Sequence, residues 1–270
     1  MTRDESGFAE LLEKIRMDNN VDFSEYKANS IKRLLHKRMN AVKVENYADY
    51  GKILDNKNDE YKNLFNTIFI NVSEFFRDRE VFEMIEKQIF PEVMEKHKSD
   101  RFIKIWSAGC AAGEETYSVA ILASEILDKQ NPSYTARIYG TDIDRDAVDA
   151  ARKGLYTFLK AKNCPEKFLK KYFRQTAGHY AVKNDLREII RFGFHNLAAH
   201  PPIIKLDILL CRNVCIYFDK SLLDRVFKNF YSAINQGGFL ILGKTETPYG
   251  ETAASYKKID FKKGIYQKKN

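Results

Sequence analysis

Two glutamates stand where a phosphate-binding turn would have none. In FIKIWSAGCAAGEETYS, residues 102–118, a β-rich run meets Gly109 and Gly113, and Glu114 and Glu115 follow at once. A strand, a glycine turn and a helix start form the arrangement that holds nucleotide phosphates at a helix N-terminus. Two carboxylates a few ångströms away would repel a diphosphate, and the G-x-x-x-G spacing departs from the GxGxxG dinucleotide pattern. The acids suit a ligand that is cationic at this end. S-adenosylmethionine is such a molecule: it lacks phosphate and carries a sulfonium and an ammonium near its ribose. Glu115 is the acid expected to face it, since adjacent helix residues point in different directions. A second reading stands beside this one, in which both acids only complement the helix N-terminus.

Further polar residues follow the other β-rich runs. Asp142 ends ARIYGTD, where a carboxylate can accept both ribose hydroxyl protons, although it can equally cap the next helix. Asn196 follows EIIRFGF and offers an amide to an adenine edge. Arg212, Asn213 and Tyr217 follow the apolar LDILLC; a pairing of Arg212 with Asp207 or Asp219, and simple packing of Tyr217, is the alternative. In NVSEFFRDRE, Asn71, Ser73 and Arg77 surround Phe75 and Phe76, which read as packing residues, at a junction between two parts of the chain. Ligand clefts favour such junctions.

The elements that must position these residues divide in two. Residues 1–75 read as a small all-helical domain, 76–99 as a connecting helix, and 100–270 as an α/β domain. In ANSIKRLLHKRMNAVKV, Ser30 is the expected cap of a helix whose apolar positions Ile31, Leu34, Leu35, Met39 and Val42 share a face. The opposite face carries Lys32, Arg33, His36, Lys37 and Arg38, with no acid from Lys27 to Lys43. From residue 100 the runs FIKIWSA, ARIYGTD, EIIRFGF, LDILLCR and GGFLILG alternate with helix-like segments, and KIDFKKGIYQKK closes the chain. That alternation predicts a mostly parallel sheet between helices, with ligands bound beyond the carboxyl ends of the strands.

Composition sets the limits. Hydrophobic residues make up 44% and aromatics 13% of the 270 residues, which places the chain among folded globular proteins. The four cysteines form no CxxC pair, and MTRDESGF resembles no secretory leader, so a reducing cytoplasm is the expected location. No apolar run approaches the roughly 20 residues that cross a bilayer, so no direct membrane insertion is expected. A net charge of +8 admits nucleic acid, anionic lipid or an acidic protein as partner. No metal site is expected: Cys211 and Cys215, four apart, have no histidine placed to join them.

Taken together, NVSEFFR, WSAGCAAGEETYS, GTDID, NL, CRNVCIYFD and GGFLILGKTE resemble the motifs of the chemotaxis receptor methyltransferases, the CheR family, in the same order and over nearly the whole chain. The resemblance implies an all-helical N-terminal domain. It also implies a class I, Rossmann-like methyltransferase domain with a small inserted β-subdomain, here at about 168–190, which in some members binds a tethering peptide. It implies methyl transfer from S-adenosylmethionine to chemoreceptor glutamates, giving γ-glutamyl methyl esters and S-adenosylhomocysteine. Cofactor contacts would fall on Asn71, Ser73, Arg77, Gly109, Glu115, Asp142, Asn196, Leu197, Arg212 and Asn213, with Tyr217 beside the transferring methyl. Tyr217 and Arg77 are the expected catalytic pair. Ser73 stands where the family usually has threonine, Thr116 where proline is common, and KTE in place of small-Ser-Glu.

The expected substrate is the cytoplasmic helices of methyl-accepting chemoreceptors, which present glutamates. Arg33, Lys37 and Arg38 would steer these to a monomeric enzyme; a solvated helix face is the alternative. A nucleic-acid methyltransferase is disfavoured. Base-amino enzymes need an Asn/Asp-Pro-Pro-aromatic element after the fourth strand, and here CRNV stands there while the one double proline, HPPI, precedes that strand. A non-catalytic receptor-binding module is the other alternative.

Overall fold

The computed structural model describes residues 3–19, 21–56, 58–69, 73–130 and 133–269. The chain separates into two units, Met1–Asn71 with Tyr217–Leu223, and Val72–Ile216 with Asp224–Asn270.

The first unit is helical: α1 (Arg3–Asn19), α2 (Ala28–Val42), α3 (Tyr47–Asn56) and α4 (Asn58–Ile68). In α2 the expected apolar face is buried at Ile31, Leu34, Leu35 and Met39. Ser30 is not its cap: the helix starts two residues earlier behind Lys27, and the Ser30 N–H already donates to Lys27 O at 2.9 Å. The basic face is not free of acid in space. Arg38 makes a two-pronged bond to the buried Glu60 of α4, at 3.0 and 2.8 Å, and the Tyr50 hydroxyl donates to the same carboxylate at 2.8 Å. A stretch from far along the chain completes this unit. Lys27 N–H donates to Tyr217 O at 2.9 Å, Asp219 N–H to Glu25 O at 3.0 Å, and Tyr26 bridges Phe218.

The second unit opens with a helical stretch, α5 (Arg79–Met84) and α6 (Phe90–Lys96), joined by a π-helical turn over Ile85–Ile89. Phe90 N–H reaches back to Ile85 O, a wider turn that accommodates Pro91, which has no N–H to donate. The sheet strands are β1 (Phe102–Ala108), β2 (Thr135–Asp142), β6 (Ile190–Phe194), β7 (Leu206–Cys211), β8 (Ile234–Leu242), β9 (Tyr256–Asp260) and β10 (Ile265–Lys268). Their order is β6-β2-β1-β7-β8-β10-β9. The first five run parallel, and β10 and β9 add an antiparallel edge. Every residue of LDILLC in β7 is buried, as expected of a central strand covered on both faces. The chain order reverses between β1 and β7, which places a ligand crevice at their carboxyl ends. Around the sheet lie α7 (Glu114–Gln130), α8 (Arg145–Lys153), α11 (Asn184–Glu188) and α12 (Lys220–Ala233).

A separate three-stranded antiparallel sheet, β3 (Leu155–Thr157), β5 (His179–Val182) and β4 (Phe173–Thr176), is inserted with α9 (Phe158–Ala161) and α10 (Glu166–Tyr172). It begins earlier than the expected 168–190, because its first strand is only three residues long, too short for its pattern to stand out. Among the described residues no helix is long and apolar enough to cross a membrane.

Candidate functional site

The turn between β1 and α7 is fastened to β2. Gly109 and Cys110 both donate their N–H to Thr141 O, at 2.8 and 2.9 Å. Gly109 has φ +76°, and a Cβ there would lie 2.3 Å from a Val214 methyl. Glycine is therefore required by the chain's own packing as well as by backbone angle. Past this turn Glu115 is half-buried: Oε1 accepts the Ser107 hydroxyl at 2.9 Å and Oε2 faces Arg212 Nη1 at 3.2 Å.

Arg212 organises this end of β7. Its side chain is 2% exposed; Nη1 also donates to Arg77 O at 3.1 Å and Nη2 bonds the Asp78 carboxylate. The two alternative partners are occupied elsewhere. Asp207 accepts from His97, Asn235 and the Lys104 N–H, and Asp219 accepts the Leu222 N–H. Lys244 spans Asp78 and Glu80 at 2.8 and 2.6 Å. Burial acts to raise the Asp78 pKa, but Lys244 and Arg212 outweigh it and hold the carboxyl below its usual value.

Asp142 is buried at the end of β2, where its two oxygens accept the N–H groups of Ala111 and Asp144 at 2.8 and 2.9 Å. Burial pushes its pKa up against these bonds. The helix-capping alternative belongs to Asp144, whose carboxylate accepts from Asp146 and Ala147 at the start of α8. Asn196 is buried after β6, its side-chain oxygen accepting Ala198 N–H at 2.9 Å, beside a half-buried Leu197. Asn213 adopts φ +62°, with its N–H on Glu246 Oε2 at 2.7 Å. Phe76, Asp78, Arg101, Ala111 and Lys205 are also left-handed, so six non-glycine residues of this unit's loops adopt that conformation. Phe75 and Phe76 are buried packing residues, as expected.

Glu114 is the larger surprise. It is wholly buried, neither oxygen makes a hydrogen bond, and the nearest countercharge is Lys160 of α9 at 3.6 Å. Burial raises its pKa, and its own backbone N–H, then Lys160 and Ser73, offset this only in part. A solvent-facing helix-start acid it is not.

Glu115, Arg212 and the Arg77 carbonyl meet in one network, and Asp142 holds the turn that leads to Glu115. Asn71 lies outside the described residues. Tyr217 sits in a 3-10 turn, Cys215–Tyr217, and falls in the helical unit with Arg33, Lys37 and Arg38. Arg33 and Lys37 are exposed, whereas Arg38 is committed to Glu60, so the expectation that it offers a free cation is corrected. Cys211 and Cys215 pack with sulfurs 3.8 Å apart. No group of three or more metal-ligating side chains occurs among the described residues. Asp78, Ser107 and Glu246 all lie within the quoted motifs, yet nothing in their spacing singles them out.

The residues present fit S-adenosylmethionine. The acids Glu115 and Asp142 stand at the ends of neighbouring parallel strands or just beyond. On consecutive residues after β7, Arg212 Nε and Asn213 Oδ1 are buried without a partner in the protein, a donor and an acceptor available to a ligand.

Residues 71–265 match the family model described as the CheR methyltransferase SAM binding domain, and residues 6–69 match the CheR methyltransferase all-alpha domain. An uncharacterized 104.1 kDa protein of Rhodobacter capsulatus is 31% identical over 237 residues, 87% of this chain and 25% of that protein. A chemotaxis protein methyltransferase of Borreliella burgdorferi is 28% identical over 263 residues, covering 95% of this chain and 92% of the relative. Chemotaxis protein methyltransferase 2 of Vibrio cholerae is 31% identical over 222 residues, 80% of this chain and 76% of the relative. The chain thus spans a quarter of the first relative's length and most of the other two. It belongs to the CheR methyltransferase family and is an S-adenosylmethionine-dependent methyltransferase.

Proposed function

We propose that this protein methylates glutamate side chains on the cytoplasmic helices of chemoreceptors, forming γ-glutamyl methyl esters in chemotaxis adaptation. We place it in the cytoplasm as a monomer that binds no nucleic acid. The observation that carries the substrate class is an absence of need. A glutamate carboxylate is ionised near neutral pH and requires no general base, and Glu115 is engaged by Arg212 and Ser107.

When bound, the cofactor supplies an electrophilic methyl group on a sulfonium. The chain's own residues then orient, desolvate and align. Glu115 faces the cationic end of the cofactor and Asp142 its ribose, Asn196, Leu197 and Asn213 line the nucleoside, and Arg212 holds Glu115 in place. Ser73 and Arg77, in the segment before α5, would add the remaining cofactor contacts. Arg77 and Tyr217 orient the incoming carboxylate; Tyr217 follows Asn213 by four residues in the chain. An anion and a cation react and both charges disappear, so exclusion of water and alignment provide most of the acceleration. Arg33 and Lys37, exposed on one helix face, steer the acidic receptor helices.

Incubation with methyl-labelled S-adenosylmethionine and receptor-rich membranes tests this directly. Base-labile label on the receptor is expected. Alkali-stable label would mean an N-methyl product and would overturn the glutamate assignment.

A further inference from the structure

We propose that Glu246 is a positioning residue for the cofactor site, holding the turn after β7 in the shape that presents Asn213; this rests on the proposed cofactor-binding role of Asn213. Glu246 lies in the loop after β8, is 6% exposed, and makes no ion pair among the described residues. Its carboxylate is filled by backbone donors. Oε2 accepts the N–H of Asn213 and of Gly243, both at 2.7 Å, and Oε1 accepts the N–H of Ile216 at 3.2 Å. These donors come from the carboxyl ends of two neighbouring parallel strands, for Cys211 of β7 is paired with Leu242 of β8. One side chain therefore joins both strand ends at the crevice.

The turn it holds does not hold itself. Asn213 is a non-glycine residue at φ +62°, a conformation that needs support from its surroundings. Its side-chain oxygen is buried with no partner in the protein, so the acceptor offered to a ligand is placed by the backbone beneath it. Gly243 leaves the necessary room: a Cβ there would lie 2.6 Å from Glu246 Oε2 and 2.9 Å from Asn213 Nδ2.

Glu246→Gln and Glu246→Ala are the test, in the full chain, by calorimetric titration with S-adenosylhomocysteine. Glutamine keeps the volume but turns one acceptor into a donor facing a backbone N–H; alanine takes the carboxylate acceptor away from all three N–H groups. The expected result is a Kd raised about tenfold or more in both variants. The binding stoichiometry of the folded protein should stay near one, and KM for S-adenosylmethionine should rise while KM for receptor does not. A purely structural role predicts something else: a lower active fraction with unchanged Kd. That pattern, or a Kd within twofold of the parent in both variants, overturns the proposal. Failure of the unmutated protein to bind S-adenosylhomocysteine would instead overturn the cofactor assignment beneath it.

Discussion

Replacing Arg212 with methionine removes one guanidinium and uncovers two carboxylates. Asp78 keeps Lys244 at 2.8 Å and is partly open to water, so its loss is small. Glu115, 12% exposed, keeps only the Ser107 hydroxyl. Removing one partner of a buried pair costs about 3–5 kcal/mol, and the partial hydration of both acids puts Arg212→Met near the lower end, about 3 kcal/mol. Over a unit of this size that corresponds to a fall in Tm of about 6–12 °C. Thermal melts of the parent, Arg212→Met, Glu115→Gln and the double variant form a cycle. Neutralising Glu115 as well should recover part of the loss, with a coupling of about 1–3 kcal/mol. S-adenosylhomocysteine binding should be lost in Arg212→Met and not recovered in the double variant, which has lost Glu115. A cost below about 1 kcal/mol, or strict additivity, would refute Arg212 as the electrostatic support of Glu115.

Glu114→Gln should raise Tm at pH 7.5. Burial lifts the folded-state pKa above the unfolded value, so the native state loses stability as pH rises through it, and the gain should vanish toward pH 4, where both forms are protonated; an unchanged or lower Tm at pH 7.5 rejects this. His97 is the opposite case. Burial opposes its charge, but Asp207 and Asp100, bonded at 2.8 and 2.7 Å, outweigh burial and raise its pKa. Its stabilisation is full below about pH 6.5 and is lost as pH climbs through the folded value. The Tm gap between the parent and His97→Gln should therefore narrow from pH 6 to pH 8.5, and a constant gap would count against it. Tyr217→Phe should lower turnover on receptor while changing the Kd for S-adenosylhomocysteine less than twofold; unchanged turnover takes Tyr217 out of the site. Charge reversal at Arg33 and Lys37 should weaken receptor methylation and flatten its salt dependence, and a variant with the parent's salt response would end the steering proposal.

The five parallel strands of the large sheet were legible because each is a β-rich run of ordinary length, and LDILLC even disclosed its central position. What periodicity cannot carry is a partner distant in sequence. Arg212 was weighed against Asp207 and Asp219, near it in the chain, yet its carboxylates are Asp78 and Glu115, 134 and 97 residues away. Arg38 looked free because no acid lies nearby in sequence, but α4 delivers Glu60 from 22 residues on. Glu114 and Glu115 are adjacent identical letters. Only the fold separates a buried acid whose one countercharge is Lys160 from one held by arginine. Glu246 was seen inside a motif, but its work is on backbone N–H groups, which have no letter in the sequence.

The short stretch Tyr217–Leu223 carries a consequence for how this protein can be cut. The family's S-adenosylmethionine-binding domain is contiguous as text, residues 71–265, and suggests a module that could be trimmed from its helical preface. In the folded chain, however, the backbone of Tyr217 and Asp219 is hydrogen-bonded to Lys27 and Glu25. A fragment beginning at residue 72 would keep that stretch and discard its partners. The preface is thus no interchangeable cassette, and a chimaera that exchanges it must exchange the loop at 217–223 along with it.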